Sequence, residues 1–192
     1  MARTYILKRR AEQQAETRLR IVEAAVDLHG SVGPAQTTLS MVAERAGVQR
    51  HTLYAHFPDE RSLLMACSGL ALERSPLPDA APWRSIADRR ERLRTGLLEI
   101  YGWYERNAEL TACVMRDAEV HPLVMEISAL RYGPYMAAYN DVLGEKLNTT
   151  QRAALRLALS FHAWRTLVRE SGLKRNAAVA VMVQAIDRAN EP

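Results

Sequence analysis

The sequence predicts an all-α fold, and two observations support that prediction. Apolar residues recur at intervals of three and four along almost every segment, as Ile21, Ala25 and Leu28 illustrate near the start of the chain. Glycine and proline separate these periodic segments, as loop residues do between helices. Only Val179 to Val183 alternate as a strand would, and the length and alanine content of the surrounding segment favour a helix there.

Capping signals divide the N-terminal part of the chain into four helices. Thr38 stands before a short apolar run as an N-cap, Gly47 ends that run as a left-handed C-terminal cap, and Asp59 caps the segment that follows Pro58. The predicted helices are Ala15–Val32, Leu39–Ala46, a third from Gln49 or Arg50 to Pro58, and a fourth from Asp59 to about Arg74.

The remainder is predicted to be helical as well. The proline-rich SPLPDAAP forms a loop, and Pro82 takes the first position of the next helix. Gly133 and Pro134 interrupt or bend a later helix, and Gly172 ends a long one. The predicted helices run from Pro82 to about Tyr104, Leu110 to Glu119, Pro122 to Tyr139, Thr150 to Ser171 and Asn176 to Asn190.

Composition places the chain among ordinary globular proteins of one medium or two small domains. Of its 192 residues 48% are hydrophobic and 25% charged, and the formal net charge of +4 permits a nucleic-acid partner without requiring one. Cys67 and Cys113 are too few for a disulfide framework or a thiolate zinc site. No signal peptide or long uncharged apolar run is recognisable. We therefore expect a cytoplasmic protein with no membrane partner and no cofactor.

The stretch GVQRHTLYAHF, residues 47–57, places two histidines beside an arginine. Metal binding is disfavoured, because His51 and His56 are five residues apart and point about 140° away from each other on a helix. Catalysis is disfavoured as well, since no GxSxG motif, glycine-rich phosphate loop or orienting carboxylate accompanies them. We therefore expect that the protein is not an enzyme.

A helix-turn-helix explains the same stretch better. Ala43, Gly47 and Leu53 occupy the positions where two short crossing helices need a small residue, a turn glycine and an apolar anchor. The other side chains of the third helix are polar or small and would meet a major groove of DNA. They are Arg50, His51, Thr52, Tyr54, Ala55 and His56.

The stretch TTLSMVAERAGVQRHTLYAHFPDERSLL, preceded by RIVEAAVDLHGSVG, resembles the N-terminal DNA-binding domain of the TetR family of bacterial one-component repressors. The resemblance covers about Arg18 to Leu64, and AxxAGVxxxTLYxHF is its specific part. It implies an N-terminal arm and three-helix DNA-binding domain in residues 1–62. Residues 63–192 would then form a helical ligand-binding and dimerisation domain, joined through a linking helix from about 59 to 74.

The resemblance also implies DNA contacts. Side chains at phosphates would fix the register, and side chains at base edges would read sequence, above all Arg50 with a bidentate fork on guanine. The phosphate contacts are Thr38, Thr52, Tyr54 and His56, and the base-reading residues are Ser40, Arg50 and His51. Ahead of the first helix, Lys8, Arg9 and Arg10 form either a flexible arm that reaches DNA or a solvated basic tail.

Three positions depart from the family pattern. Glu60 replaces a common lysine that contacts phosphate, although Arg61 follows it, and Pro34 replaces a common aromatic residue. His29 replaces a common phenylalanine, and we interpret it as a packed core histidine.

A small-molecule effector among the middle helices is a further implication of the resemblance. Aromatic and thioether side chains with a few polar groups predict an apolar or aromatic effector. A metal-chelated effector held by His121 or His162 with Asp117 or Glu119 is the alternative. The predicted effector residues are Trp103, Tyr104, Met115, His121, Tyr132, Tyr135, Met136, Tyr139, Phe161, His162, Trp164 and Arg165.

The last two helices are expected to form a homodimer interface, and two-fold symmetry then predicts a palindromic operator in double-stranded DNA. The effector would release a repressor from this operator. A DNA-binding regulator without an effector, and a helical small-molecule-binding protein without DNA binding, are the competing hypotheses. The predicted interface residues are Ala154, Leu155, Ala158, Leu159, Ala178, Val183, Ala185, Ile186 and Ala189.

Overall fold

The computed structural model describes the backbone of residues 2–189 and the side chains of residues 7–189. Within that range the fold is all-α, as predicted, and contains ten α-helices and no strand. No helix among these residues has both the length and the apolar character needed to cross a membrane. The helices are α1 (Ala2–Ser31), α2 (Leu39–Arg45), α3 (Arg50–His56), α4 (Glu60–Arg74), α5 (Arg89–Arg106), α6 (Ala108–Ala118), α7 (Pro122–Leu143), α8 (Thr149–Ala158), α9 (Phe161–Trp164) and α10 (Arg175–Arg188).

Packing divides the described chain into two compact units. The first comprises the residues up to Arg74 together with Ala112–Arg131, and the second comprises Ser75–Thr111 and the residues from Tyr132 onward. These units differ from the division at residue 62, which stays a prediction about which segment performs which task.

Helix α1 begins at Ala2, well before the predicted start at Ala15. Lys8, Arg9 and Arg10 therefore lie on an exposed helix, and the prediction of a flexible arm is wrong. The early segment has no apolar stripe, but it is rich in alanine, glutamate, glutamine, lysine and arginine, which all favour helix. Lys8 and Glu12 also form an i, i+4 ion pair at 4.0 Å.

The first unit is built around a buried apolar cluster drawn from α1 to α4 and the start of α7. Ile21, Ala25 and Val42 are fully buried there, and Leu53 and Phe57 are each 1% exposed. The end of α6 is hydrogen-bonded to the turn after α1, because the Asp117 carboxylate accepts the N–H of Ala35 at 2.8 Å. Asp117 also accepts from Arg116 Nε at 2.7 Å.

Gly33 shapes this junction. Its φ of 101° belongs to the left-handed region, and a Cβ at this position would lie 2.1 Å from Arg116 Nη2. The next residue, Pro34, is buried at the start of a 3₁₀ turn, Pro34–Gln36. The aromatic residue common in the family is thus replaced by a proline that starts the turn.

His29 is a buried side chain of the first unit, which confirms its interpretation as a core histidine. It is 6% exposed, and its Nδ1 lies 3.4 Å from Sγ of Cys67. Burial lowers the pKa of His29 to about 4, although the charge of Asp117 opposes this shift. Burial also raises the pKa of the Cys67 thiol to about 12, so both groups are neutral at pH 7.

The lowered pKa of His29 predicts a loss of stability in mild acid. Between pH 6.5 and 4 the unfolded chain binds a proton at this site and the folded chain does not, so stability is complete above pH 6.5 and falls as the pH approaches 4. The loss amounts to about 3 kcal/mol at most. Chemical unfolding at pH 7 and pH 4.5 should show a smaller difference in His29→Gln than in the wild type. Equal pH dependence in both proteins would contradict the prediction.

The second unit contains α5, α8, α9 and α10. The predicted single helix from Thr150 to Ser171 is wrong, because α8 ends at Ala158 and α9 starts at Phe161. At this break the carbonyls of Ala158 and Leu159 accept the hydroxyls of Tyr101 at 3.0 Å and Tyr104 at 2.8 Å. Ser160 then caps α9, and a π-helical turn follows at Arg165–Glu170. Gly172, with a φ of 70°, ends this segment.

Two further elements differ from prediction, and the last helix lies where it was predicted. Pro82 lies in a 3₁₀ turn, Ala81–Ser85, and α5 starts only at Arg89, where Asp88 caps it. Helix α7 runs through Pro134 without the interruption that Gly133 and Pro134 suggested. Of the last predicted helix, Asn176–Asn190, the structure describes Arg175–Arg188, and Asn190 lies outside the described residues.

The alternating valines of the sequence lie on helix α10 and not on a strand. Val179 and Val183 are one helical turn apart and buried, whereas Val181 is 43% exposed on the opposite side.

The predicted dimer interface is wrong in part, because several of its residues face the core of their own chain. Those buried within the chain are Leu155, Ala158, Leu159, Ala178, Val183 and Ile186.

Candidate functional site

Helices α2 and α3 form a helix-turn-helix. The Thr38 hydroxyl accepts the N–H of Met41 at 3.2 Å, which confirms the predicted N-cap of α2. Gly47 has a φ of 65° in the turn, where the left-handed conformation favours glycine. The Val48 N–H returns to the carbonyl of Ala43 at 2.9 Å, so the turn is closed by the backbone.

The cap by Thr38 predicts a measurable effect on stability. Thr38→Ala should lower the free energy of unfolding by about 1 kcal/mol, because the N–H of Met41 loses its acceptor. Thr38→Ser keeps the hydroxyl and should lose only a few tenths of that amount. Urea unfolding of the three proteins provides the comparison, and equal losses in both variants would show that the cap does not contribute.

Two apolar side chains hold α3 against the first unit. Leu53 and Phe57 are each 1% exposed, and the guanidinium of Arg18 on α1 lies 4.8 Å from the centre of the Phe57 ring. Since both anchors lie on one side of α3, its opposite side faces outward.

The predicted DNA-contacting residues lie on this outer surface or at its edge. Thr38, Arg50, His51 and Tyr54 are exposed, and Ser40, Thr52 and His56 are partly buried. Arg50 has no ion pair with any described residue, so its guanidinium is available to a partner. Helix α3 therefore exposes a polar side, while its apolar side is packed in the first unit.

The segment after α3 begins α4 with the predicted cap, since Asp59 accepts the N–H of Ser62 at 2.7 Å. Glu60, at the position of the common family lysine, lies 3.5 Å from Nε2 of His121. Arg61 makes a bidentate pair with Glu126, at 2.7 and 2.8 Å. The guanidinium that could replace the lysine is therefore engaged within the first unit.

Comparison with known proteins places this arrangement in a family. Residues 21–67 match the family model of bacterial regulatory proteins, tetR family. Residues 21–67 therefore form a TetR-family N-terminal segment. The match begins within α1 and ends within α4, so it contains the whole helix-turn-helix.

The curated relatives that this chain matches are named regulators of transcription. It is 41% identical over 61 residues to the HTH-type transcriptional regulator TtgR of Pseudomonas putida. It is 36% identical over 70 residues to SrpR of the same species. These matches cover 32% and 36% of this chain, and 29% of TtgR and 32% of SrpR. The names of these relatives are those of regulators and not of enzymes.

Solved structures extend the likeness to nearly the whole chain. PfmR, a TetR family transcriptional regulator from Thermus thermophilus, aligns with a TM-score of 0.64 over 90% of this chain and 96% of PfmR. The multidrug binding protein EbrR, complexed with imidazole, aligns with a TM-score of 0.58 over 92% of each chain. Both are 21% identical to this chain, so they establish the fold alone.

The predicted effector residues are only partly brought together. Met115 and His121 belong to the first unit, and the others to the second. Five are buried aromatic side chains that include Tyr104, Phe161 and Trp164, whose ring centres lie 5.2 to 5.9 Å apart. Tyr132 meets the ring of Trp103 edge to face at 6.2 Å. His162 and Arg165 are exposed.

The metal-chelated alternative has no described cluster of ligands. Among residues 7–189 no three His, Cys, Asp or Glu side chains are grouped as a metal site requires. Asp117 is engaged by Arg116 and Ala35, and His121 lies near Glu60.

A cleft in the second unit contains none of the predicted effector residues. Its volume is about 460 Å³. Sequence patterns could not reveal it, because it brings together residues from a loop, the middle of α5 and the start of α10. The lining residues are Pro76, Pro78, Leu98, Glu99, Gly102, Arg106, Arg175 and Asn176.

Proposed function

We propose that the chain is a DNA-binding regulator of transcription that inserts the outer surface of α3 into the major groove. The observation that supports this most is the helix-turn-helix itself, with Leu53 and Phe57 buried and Arg50, His51 and Tyr54 exposed on one short helix. The family match over residues 21–67 supports the same function.

Within this proposal the side chains of the surface have different tasks. Arg50 forks onto guanine O6 and N7, and Ser40 and His51 stand where other base edges would lie. Thr38, Thr52, Tyr54 and His56 bind phosphates and fix the register. The exposed Lys8, Arg9 and Arg10 extend the basic surface along α1, as a rigid helical extension.

We further propose a homodimer through α8 and α10 on a palindromic operator. Leu157 and Val181 are 59% and 43% exposed on these two helices, and they supply apolar surface that the buried residues of the original prediction do not. Two-fold symmetry would place the half-sites about 34 to 36 Å apart, or a multiple of that distance. A monomer at micromolar concentration in light scattering would count against this interface.

Repression with release by a small apolar or aromatic effector completes the proposal. Residues 112–131 include Met115 and His121 of the predicted effector set, and they contact α4 through Glu126 and Arg61. A ligand that shifts these residues would therefore move α4 and with it α3. EbrR, a multidrug binding protein complexed with imidazole, is an example of this fold holding a small ring compound.

Salt-dependent DNA binding tests the central part of the proposal. Fluorescence anisotropy measures binding to a random-sequence duplex and to a selected operator. For both, the logarithm of the binding constant should fall linearly with the logarithm of the salt concentration, because the protein's contacts to phosphates release counterions from the DNA. A helical small-molecule-binding protein without DNA function would show no such binding. Absence of binding to both duplexes at low salt would contradict the proposal.

A further inference from the structure

We propose that the cleft between α5 and the start of α10 binds a small organic monocarboxylate. Its volume of about 460 Å³ falls within the range of about 300 to 1,000 Å³ that is common for small-molecule sites. The site lies wholly within the second unit and shares no residue with the DNA-contacting surface.

Two guanidinium groups converge in this cleft. A Cβ built on Gly102 would lie 2.3 Å from Nη1 of Arg175 and 3.5 Å from Nη1 of Arg106. Both cations therefore approach one point above α5, and the guanidinium of Arg175 lies where a side chain at position 102 would otherwise be. A carboxylate beside Gly102 would be within reach of both guanidiniums.

Acidic residues near the cleft offset the formal charges of its two arginines, and one guanidinium is left unpaired. Arg175 is paired with Glu105 at 3.4 Å, whereas Arg106 has no carboxylate partner among the described residues. Glu99 also lies in the lining. Because the two glutamates repel further negative charge, a ligand with one carboxylate on Arg106 is favoured over a phosphate or a dicarboxylate. Guanidinium forks match the geometry of a carboxylate.

The start of α10 borders the same cleft. Lys174, its N-cap residue, makes no side-chain bond to the first turn, and Asn176 lines the cleft. The first N–H groups of a helix carry partial positive charge and favour an anion.

The apolar part of the lining indicates which group is attached to the carboxylate. Pro76, Pro78 and Leu98 form an apolar wall beside the two arginines. A carboxylate attached to an apolar group would bury that group against this wall, whereas acetate or a sugar acid would not. The inferred ligand class is therefore an aromatic or medium-chain aliphatic monocarboxylic acid.

Calorimetric titration of the full chain with phenylacetate and octanoate, each compared with its neutral amide, tests the inference. At least one acid should bind ten or more times more tightly than its amide, because only the acid makes charge-assisted bonds to the guanidiniums, which are worth roughly tenfold or more. Arg106→Ala should abolish that preference, and Arg106→Lys should retain part of it. Gly102→Ala should weaken binding as well, since its Cβ displaces Arg175.

Arg156→Ala is the matched control, because Arg156 is an exposed arginine of α8 outside the cleft. It should bind the acid as the wild type does. Equal affinity for acid and amide, no binding of either acid at millimolar concentration, or unchanged binding in Arg106→Ala would each overturn the inference. The titration requires no DNA, so its failure and a failure of the proposed regulation are distinguishable.

Discussion

Replacing Arg50 with alanine is expected to weaken binding to a selected operator by about 1 to 3 kcal/mol for each half-site. A dimer with two half-sites would lose about twice that amount, which corresponds to a loss in affinity of about 25-fold or more. Arg50 is exposed on α3 and free of ion pairs with the described residues, so the change would remove the proposed DNA contact without removing an ion pair of the protein. Anisotropy titrations with operator and non-operator duplexes provide the measurement.

The loss should be specific to the operator. Non-specific duplex should lose far less affinity, because the phosphate contacts proposed for Thr38, Thr52, Tyr54 and His56 would not depend on the base that Arg50 is proposed to read. Arg84→Ala provides the control, since it removes an exposed arginine of the 3₁₀ turn Ala81–Ser85, outside α3 and outside the proposed dimer helices. If Arg50→Ala binds the operator as tightly as the control does, Arg50 is not the base-reading residue.

Replacing Phe57 with alanine is expected to destabilise the first unit by about 3 to 5 kcal/mol. Phe57 is 1% exposed at the end of α3, and its ring packs in the apolar cluster and under the guanidinium of Arg18. Removal of the ring leaves a cavity and releases the end of α3, so operator binding should be lost along with stability. Unfolding in guanidinium chloride, followed by circular dichroism, measures the effect.

Tyr54→Ala is the matched control for Phe57→Ala. Tyr54 lies on the same short helix but is 50% exposed, and its loss should change stability by no more than about 0.5 kcal/mol. The two aromatic side chains thus separate anchoring from DNA contact within one helix. Comparable losses of stability in the two variants would contradict the assignment of Phe57 as the anchor.

The helix-turn-helix could be predicted from sequence because its signals are local. Thr38, Gly47 and Asp59 each act within a few residues of their own position, as caps or as a left-handed turn. The apolar period then places Leu53 and Phe57 on the buried side of α3. At this site the capping residues and the apolar pattern indicate the same structure, so the helix bounds and the buried side of α3 can both be predicted from the sequence.

The second unit was predicted less well because its details depend on distant residues. The break between α8 and α9 coincides with two carbonyls that accept hydroxyls from Tyr101 and Tyr104 on α5. No pattern within residues 150–171 reports those partners. The buried sides of α8 and α10 were likewise assigned to a dimer, because periodicity identifies an apolar face and does not identify what covers it.

Ligand sites depend on such tertiary detail most of all. Aromatic side chains such as Phe161 and Trp164 drew attention in the sequence, yet they pack tightly against each other. The cleft at Arg106 and Arg175 joins residues far apart in the chain, and only their convergence over Gly102 indicates a ligand.

Selection of bound duplexes from a random pool, carried out in parallel with the wild type and Arg50→Ala, tests the central claim most directly. The wild type should select two inverted half-sites that share a guanine at one position. Arg50→Ala should select the same arrangement with that guanine preference lost, because the phosphate contacts stay in place. An identical base preference in both selections, or the absence of any inverted repeat, would contradict the assignment of α3 as the reading helix of a symmetric dimer.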